Sequence, residues 1–179
     1  MRAAELKPGG LLYVTVIVNN EPELKSYQIK EELFYRHIAT VLLPKALSEA
    51  GFEPNNQIIA ACMKTSVSAF PSDYLDVIKS QQDLELLSHA IEECPDQFHV
   101  EYTETKDLEK FARSVSNYIR GFWGEILEEG LRRATTRDPS AVSALLFDTL
   151  IPGYLKKQPD SYPEGYMILK LSFLKPLLS

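Results

Sequence analysis

A chain of 179 residues, 45% apolar and 25% charged, has the length and composition of a single globular domain, 1–179, with a real core. Its net charge of −6 excludes a surface devoted to nucleic acid or to anionic membrane, since both need a basic face; only a local basic patch is left for phosphate. Two cysteines, Cys62 and Cys94, make no disulfide framework, and no apolar run approaches the roughly 18 residues of a membrane span. The expectation is a soluble, cytoplasmic, acidic protein with reduced thiols.

Pro8-Gly9-Gly10 signals a turn. Leu11 to Val18 (LLYVTVIV) is the best strand in the chain, apolar on both faces, which predicts a central position in a sheet. Asn19 to Pro22 is a turn. Residues 24–30 alternate like the return strand of a hairpin, although Asn20 and Glu23 could instead form a capping box opening a helix. Glu31 to Ala50 is helical, with Leu33, Phe34, His37, Ile38, Val41, Leu42 and Leu47 inward. Pro44 should kink or split it, and Gly51 should end it. Asn56 to Phe70 fits strand or helix equally. Ser72 caps a helix that carries Tyr74, Leu75 and Ile78 and then Leu84, Leu87 and Ile91, with a break at the polar stretch between, and Pro95-Asp96 stops it. Phe98, Val100 and Tyr102 alternate with polar residues and predict a short strand.

Thr105 to Ala134 is the longest helical pattern. Leu108, Phe111, Ala112, Val115, Ile119, Phe122, Trp123, Ile126, Leu127 and Leu131 recur at steps of three and four, the wide stripe of a helix that crosses a core. Thr105 is its expected N-cap, and Glu128–Arg132 and Glu129–Arg133 are favourable i,i+4 pairs. Gly121 and Gly124 bracket Phe122-Trp123. Each mid-helix glycine costs about 1 kcal/mol relative to Ala, so the step calls for a reason. Either another backbone packs closely there, or a groove admits a partner or ligand beside Trp123. Asp138-Pro139-Ser140 starts a helix carrying Val142, Leu145, Leu146, Leu150 and Ile151, which Pro152-Gly153 should end. Residues 154–165 read as a polar, partner-facing loop. Met167, Leu169, Leu171 and Phe173 alternate in a closing strand. The order predicts an α+β fold: a small, mostly antiparallel sheet packed by helices around one long central helix, about 105–134.

Glycine-rich phosphate loops, G-x-S-x-G, H-E-x-x-H and paired C-x-x-C are absent from the sequence. A thiolate nucleophile would need Cys94 or Cys62 with His89 or His99, but Cys62 sits in an apolar run and Cys94 precedes a proline at an expected helix end. His89 and Glu92 stand i,i+3 on the expected helix, one pair short of a metal site. Asp76, Glu128 and Glu129 read as a solvated face. No metal or cofactor is expected. Arg132, Arg133 and Arg137 cluster at a helix end, and Arg113, Asn117 and Arg120 line one face of the central helix; both groups are candidate contacts for an anion or an acidic partner.

Ser116-Asn117, Gly121, Leu127-Glu128, the Phe147-Asp148-Thr149-Leu150 run and the last strand loosely resemble the subunits of TRAPP vesicle-tethering complexes. The resemblance covers under half of the chain. It implies a strand across residues 142–150, where Asp138-Pro139 instead calls for a helix, so it is not taken as membership. The residues themselves point to a non-enzymatic protein-interaction module, an accessory or regulatory subunit that binds a protein partner or itself, with Gly121, Phe122, Trp123 and Gly124 as the groove. The alternatives are an apolar ligand- or lipid-binding pocket beside Trp123, and a Cys- or metal-dependent hydrolase using Cys94, His89 and His99.

Overall fold

The computed structural model describes residues 6–19, 25–63, 70–79, 83–135 and 137–176. The fold is α+β, with a three-stranded antiparallel sheet and a set of helices that includes the long one. The chain divides into two compact units. One comprises Met1–Gln28, Val67–Pro95 and Gly165–Ser179; the other comprises Ile29–Ser66 and Asp96–Glu164.

The first unit holds the sheet: β1 (Leu11–Val18), β2 (Glu85–Pro95) and β3 (Gly165–Leu174), in the order β1-β3-β2. The closing strand is therefore the middle one. Its alternation is the clearest in the sequence because Met167, Leu169, Leu171 and Phe173 are all buried on one face. They pack with Val18, Tyr27, Ile78 and Leu84. β1 falls where its pattern predicts but lies at an edge, not at the centre: Leu11, Tyr13 and Ile17 are exposed. The expected helix over Leu84–Ile91 is β2 instead. The helix-like spacing Leu84–Leu87–Ile91 marks no single buried face: Leu84 is buried, whereas Leu87 and Ile91 are exposed, and a register irregularity lies between Leu86 and Ser88. Consequently His89 and Glu92 do not share a helix face; an odd separation along a strand points them to opposite sides of the sheet.

The hairpin expected over 24–30 is also replaced. Ser26–His37 forms α1, and the Gln28 side chain accepts a bond from the Lys25 backbone N–H at 2.9 Å, closing half of a capping box. The turn expected at 19–22 lies, apart from Asn19, outside the described residues.

The second unit is helical. α1 continues as a π-helical segment (Ile38–Leu42) into α2 (Leu43–Glu49), with Phe34, Ile38, Leu42 and Leu47 buried but Leu33 and Val41 exposed. Then come α3 (Asn56–Cys62), α5 (Gln97–Thr105), α6 (Leu108–Ala134), α7 (Ser140–Ala144), a second π-helical segment (Leu145–Leu150) and α8 (Ile151–Lys157); α4 (Pro71–Lys79) belongs to the first unit. The ambiguous 56–70 stretch is helical over Asn56–Cys62, and residues 64–69 lie outside the described set.

Both π segments end two residues before a proline, Pro44 and Pro152. A proline has no N–H to give, and its ring meets the carbonyl four residues back. The wider turn takes up that clash: Leu43 N–H bonds Ile38 O and Ile151 N–H bonds Leu146 O, each five residues back. So Pro152 does not end the helix as expected. The chain stays helical to Lys157, and the first part of the expected 154–165 loop is helix, with Leu155 buried. The strand that the TRAPP resemblance implies across 142–150 is helix too. Asp138 starts it by accepting from Ser140 N at 3.0 Å and meeting Ser140 Oγ at 2.6 Å.

The strand expected over 98–103 is α5. Asp96 caps it, its Oδ1 accepting from the N–H groups of Phe98 and His99 at 2.9 Å each. Phe98 and Tyr102, one turn apart, face α6, while Val100 between them is exposed. Lys106, at φ 57°, separates the two helices, and α6 starts three residues later than predicted, with Asp107 as its cap. Thr105 closes α5 instead. No described helix is long and apolar enough to cross a membrane.

Candidate functional site

α6 is the element from which the second unit is built, and its two sides differ. On the inner side Phe111, Ala112, Val115, Ile119, Trp123, Leu127 and Leu131 are buried. Gly130 lies on the same side. A Cβ there would run into the carbonyl of Ala61 and sit 2.6 Å from its carbon and 3.0 Å from Cys62 N, so only glycine lets the end of α3 come this close. Two turns earlier, Trp123 Nε1 donates to the Cys62 carbonyl at 2.6 Å. That carbonyl belongs to the last residue of α3, one of the acceptors a helix end leaves without a partner. Gly130 admits α3, and Trp123 caps it. The indole edge also meets Phe147 at 5.9 Å between ring centres and 85° between planes.

Phe147 sits in the second π segment, whose widened turn leaves its carbonyl to an outside donor. Ser116 Oγ supplies that bond at 2.5 Å, and both residues are buried. Arg120 completes the attachment: it pairs with Asp148 Oδ1 at 2.8 Å and stands over the Phe147 ring at 5.9 Å.

The outer side of α6 is built differently. Tyr118 and Ile126 are 48% and 39% exposed, with Phe122 half-buried between them at i,i+4 steps. Tyr118 and Phe122 meet edge-on at 5.3 Å. Gly121 is exposed beside them, and a Cβ there would meet nothing within 4 Å. Of the four residues in the predicted groove, then, Trp123 and Gly124 face inward and are buried, Gly121 is exposed, and Phe122 is half-buried at the rim, packed against the core. At Gly124 a Cβ would touch Arg120 Cγ at 3.3 Å.

The predicted cationic contacts are engaged within the chain. Arg113 pairs with Glu109 at 3.3 Å, Arg132 with Glu128 at 2.9 Å, and Arg133 with Glu129 at 2.9 Å. Arg137 donates to the Gly51 carbonyl and stands over the Phe52 ring. Glu109 also binds Lys156, and the Lys156 bond, helped by Arg113, holds its carboxyl below the usual range. Asn117 is exposed on α6.

Of the predicted nucleophile residues, His89 and Cys94 lie on β2, Cys62 ends α3 and His99 lies on α5. Cys62 is fully buried, and burial pushes its thiol up to about 11, the reverse of what a thiolate nucleophile needs. Among the described residues no group of three or more His, Cys, Asp or Glu could hold a metal ion.

Sequence reasoning missed the one carboxylate that is buried among the described residues. Asp96 is 8% exposed, and its Oδ2 faces the buried Tyr162 hydroxyl at 3.4 Å. Desolvation raises its carboxyl above the ordinary range, against the backbone bonds from His99 and Phe98 and the Tyr162 hydroxyl. Burial and the Asp96 charge raise the Tyr162 phenol in turn. The signal was present in Pro95-Asp96-Gln97, a cap read as a stop. A shallow dimple of about 170 Å³ lies between α5 and α6, lined by Phe98, Tyr102, Lys110 and Phe111 among others. Much of that space is open to solvent, and the dimple encloses no ligand-sized cavity.

No family model matches the chain, and no curated protein matches it in sequence. The class that the fold defines is an α+β protein whose sheet and helices form two compact units, the helical one assembled on α6.

Proposed function

We propose that this chain is a non-enzymatic protein-interaction module, a cytoplasmic accessory or regulatory subunit, and that its partner docks on the outward side of α6. One observation carries the reading. α6 keeps Tyr118, Phe122 and Ile126 in a row on its outer side, next to a glycine whose side-chain position is empty space. A solvated helix gains from alanine or a charged residue at such a position, by about 1 kcal/mol. A partner that approaches the backbone closely is what a glycine there serves. The flanking guanidiniums of Arg113 and Arg120 are already paired within the chain, so the contact is apolar at its centre.

The test is a comparison of baits in native lysate. The unaltered chain should retain a protein that Gly121→Arg loses, with unchanged circular dichroism, because a Cβ there meets no atom within 4 Å and the arginine can extend away from the helix. A chain that retains nothing, or a Gly121→Arg variant that retains the same protein, overturns the proposal.

A further inference from the structure

β1 is composed as a central strand and placed at an edge. In a sheet ordered β1-β3-β2, each outer strand presents a row of backbone N–H and C=O groups that no further strand covers among the described residues. β2 carries the devices that keep such a row from pairing with another chain: Glu85, Glu92 and Glu93 along it, the irregularity between Leu86 and Ser88, and Pro95 at its end. β1 carries none of them. Its eight residues include no charge, proline or glycine, and it pairs with β3 residue for residue. Leu11, Tyr13 and Ile17 are 50%, 72% and 48% exposed on one face, and Leu12, Val14 and Val16 are only half-buried on the other.

We propose that β1 pairs with β1 of a second copy of this chain, antiparallel about a two-fold axis, giving one continuous sheet with three strands from each copy. Residues directly opposed in an antiparallel pair share a face. A two-fold register therefore sets the row Leu11, Tyr13, Thr15, Ile17 against itself and the row Leu12, Val14, Val16 against itself, so the strand is its own complement. Charge selects the same occupant. Two chains of net charge −6 repel wherever carboxylates face each other, and β1 has none. The cation beside it, Lys170 opposite Thr15, is already paired with Glu92. Because β2 is guarded, pairing through β1 leaves no second open edge, and association stops at the dimer instead of running on as a fibre. In that dimer β1 occupies the central position that its composition calls for. The inference stands apart from docking on α6: the dimer forms whether or not α6 holds a partner.

The test is sedimentation equilibrium together with residue-resolved amide exchange on the full chain, from about 1 μM to about 1 mM. A dimer is expected, and alternate amides within Leu11–Ile17 should slow as it fills. Tyr13→Lys and Ile17→Lys, both at exposed positions, should each raise the dissociation constant at least about tenfold. Mixing Tyr13→Lys with Tyr13→Glu should restore the dimer. A chain that stays monomeric throughout overturns the inference. So does a species larger than a dimer, a dimer indifferent to the lysine variants, or a dimer whose β1 amides exchange as fast as the monomer's. Should both lysine variants fail to fold, amide exchange on the unaltered chain decides the matter alone.

Discussion

Gly130 and Gly121 sit on the same helix and look alike in the sequence, yet one is filled by the protein and the other is not. At Gly130 the backbone of α3 occupies the space that a side chain would need, and Trp123 donates to the carbonyl that ends α3. The helix-weakening effect of that glycine is offset inside the fold. At Gly121 nothing comes within 4 Å, and the neighbours Tyr118 and Ile126 are exposed. The same penalty of about 1 kcal/mol has no offset among the described residues. A glycine that breaks a helical pattern is thus two different signals, and only the tertiary neighbour tells them apart.

The largest expected effect is at the filled site. Gly130→Val forces a branched side chain into the Ala61–Cys62 backbone, which cannot yield as a flexible side chain would. We expect a loss of about 3 kcal/mol, read as a lower urea midpoint. An unchanged midpoint would mean that α3 is not seated on α6, and the contrast between the glycines would vanish. Next comes Trp123→Phe. It keeps an aromatic ring near Phe147 but removes the donor to the Cys62 carbonyl, leaving a helix-end acceptor unpaired in the core. A loss of about 2 kcal/mol is expected, with faster amide exchange in α3. A variant as stable as the parent would show that the indole N–H is not what holds the end of α3.

The parts of this fold that were legible in sequence are those where one face is buried and the period is undisturbed. β3 and the inner side of α6 are the examples, with Met167–Phe173 at steps of two and Val115–Ile119–Trp123–Leu127–Leu131 at steps of four. The misreadings share a cause, a local device that alters the period or the meaning of a marker. Around β2, buried Leu84 and exposed Leu87 and Ile91 together give a helix-like spacing, because apolar residues stand on both faces. Asp96 caps α5, so Phe98 and Tyr102 are one helical turn apart and not two strand positions apart. Pro152 was a terminator only for an α-helix; a π turn carries the chain past it. At the candidate site the Gly-Phe-Trp-Gly step was visible, but its division into a buried half and an outward half depends on α3, which no local pattern reports.

Ser116→Ala sharpens the inner side of the comparison. The hydroxyl supplies the donor for the Phe147 carbonyl in the π segment, and both groups are buried. Its loss should cost about 1 kcal/mol, a fall in Tm of about 2–4 °C for a chain of this length. Thermal unfolding followed by circular dichroism measures it. No fall in Tm would mean that the widened turn satisfies its own carbonyl.

The smallest effect has the opposite sign, and it tests the contrast most directly. Gly121→Ala places a methyl group in open space on a regular stretch of α6. It meets no atom, relieves the helix of a glycine, and narrows the unfolded ensemble, so stability should rise by about 0.5–1 kcal/mol. Gly130→Ala meets the Ala61 carbonyl and should lower it, so one substitution at two positions of one helix should move the urea midpoint in opposite directions. If Gly121→Ala also destabilises, some part of the chain covers that site and the outward side of α6 is not available to a partner. If it stabilises while weakening capture of the partner, the glycine is held at that position by binding and not by folding.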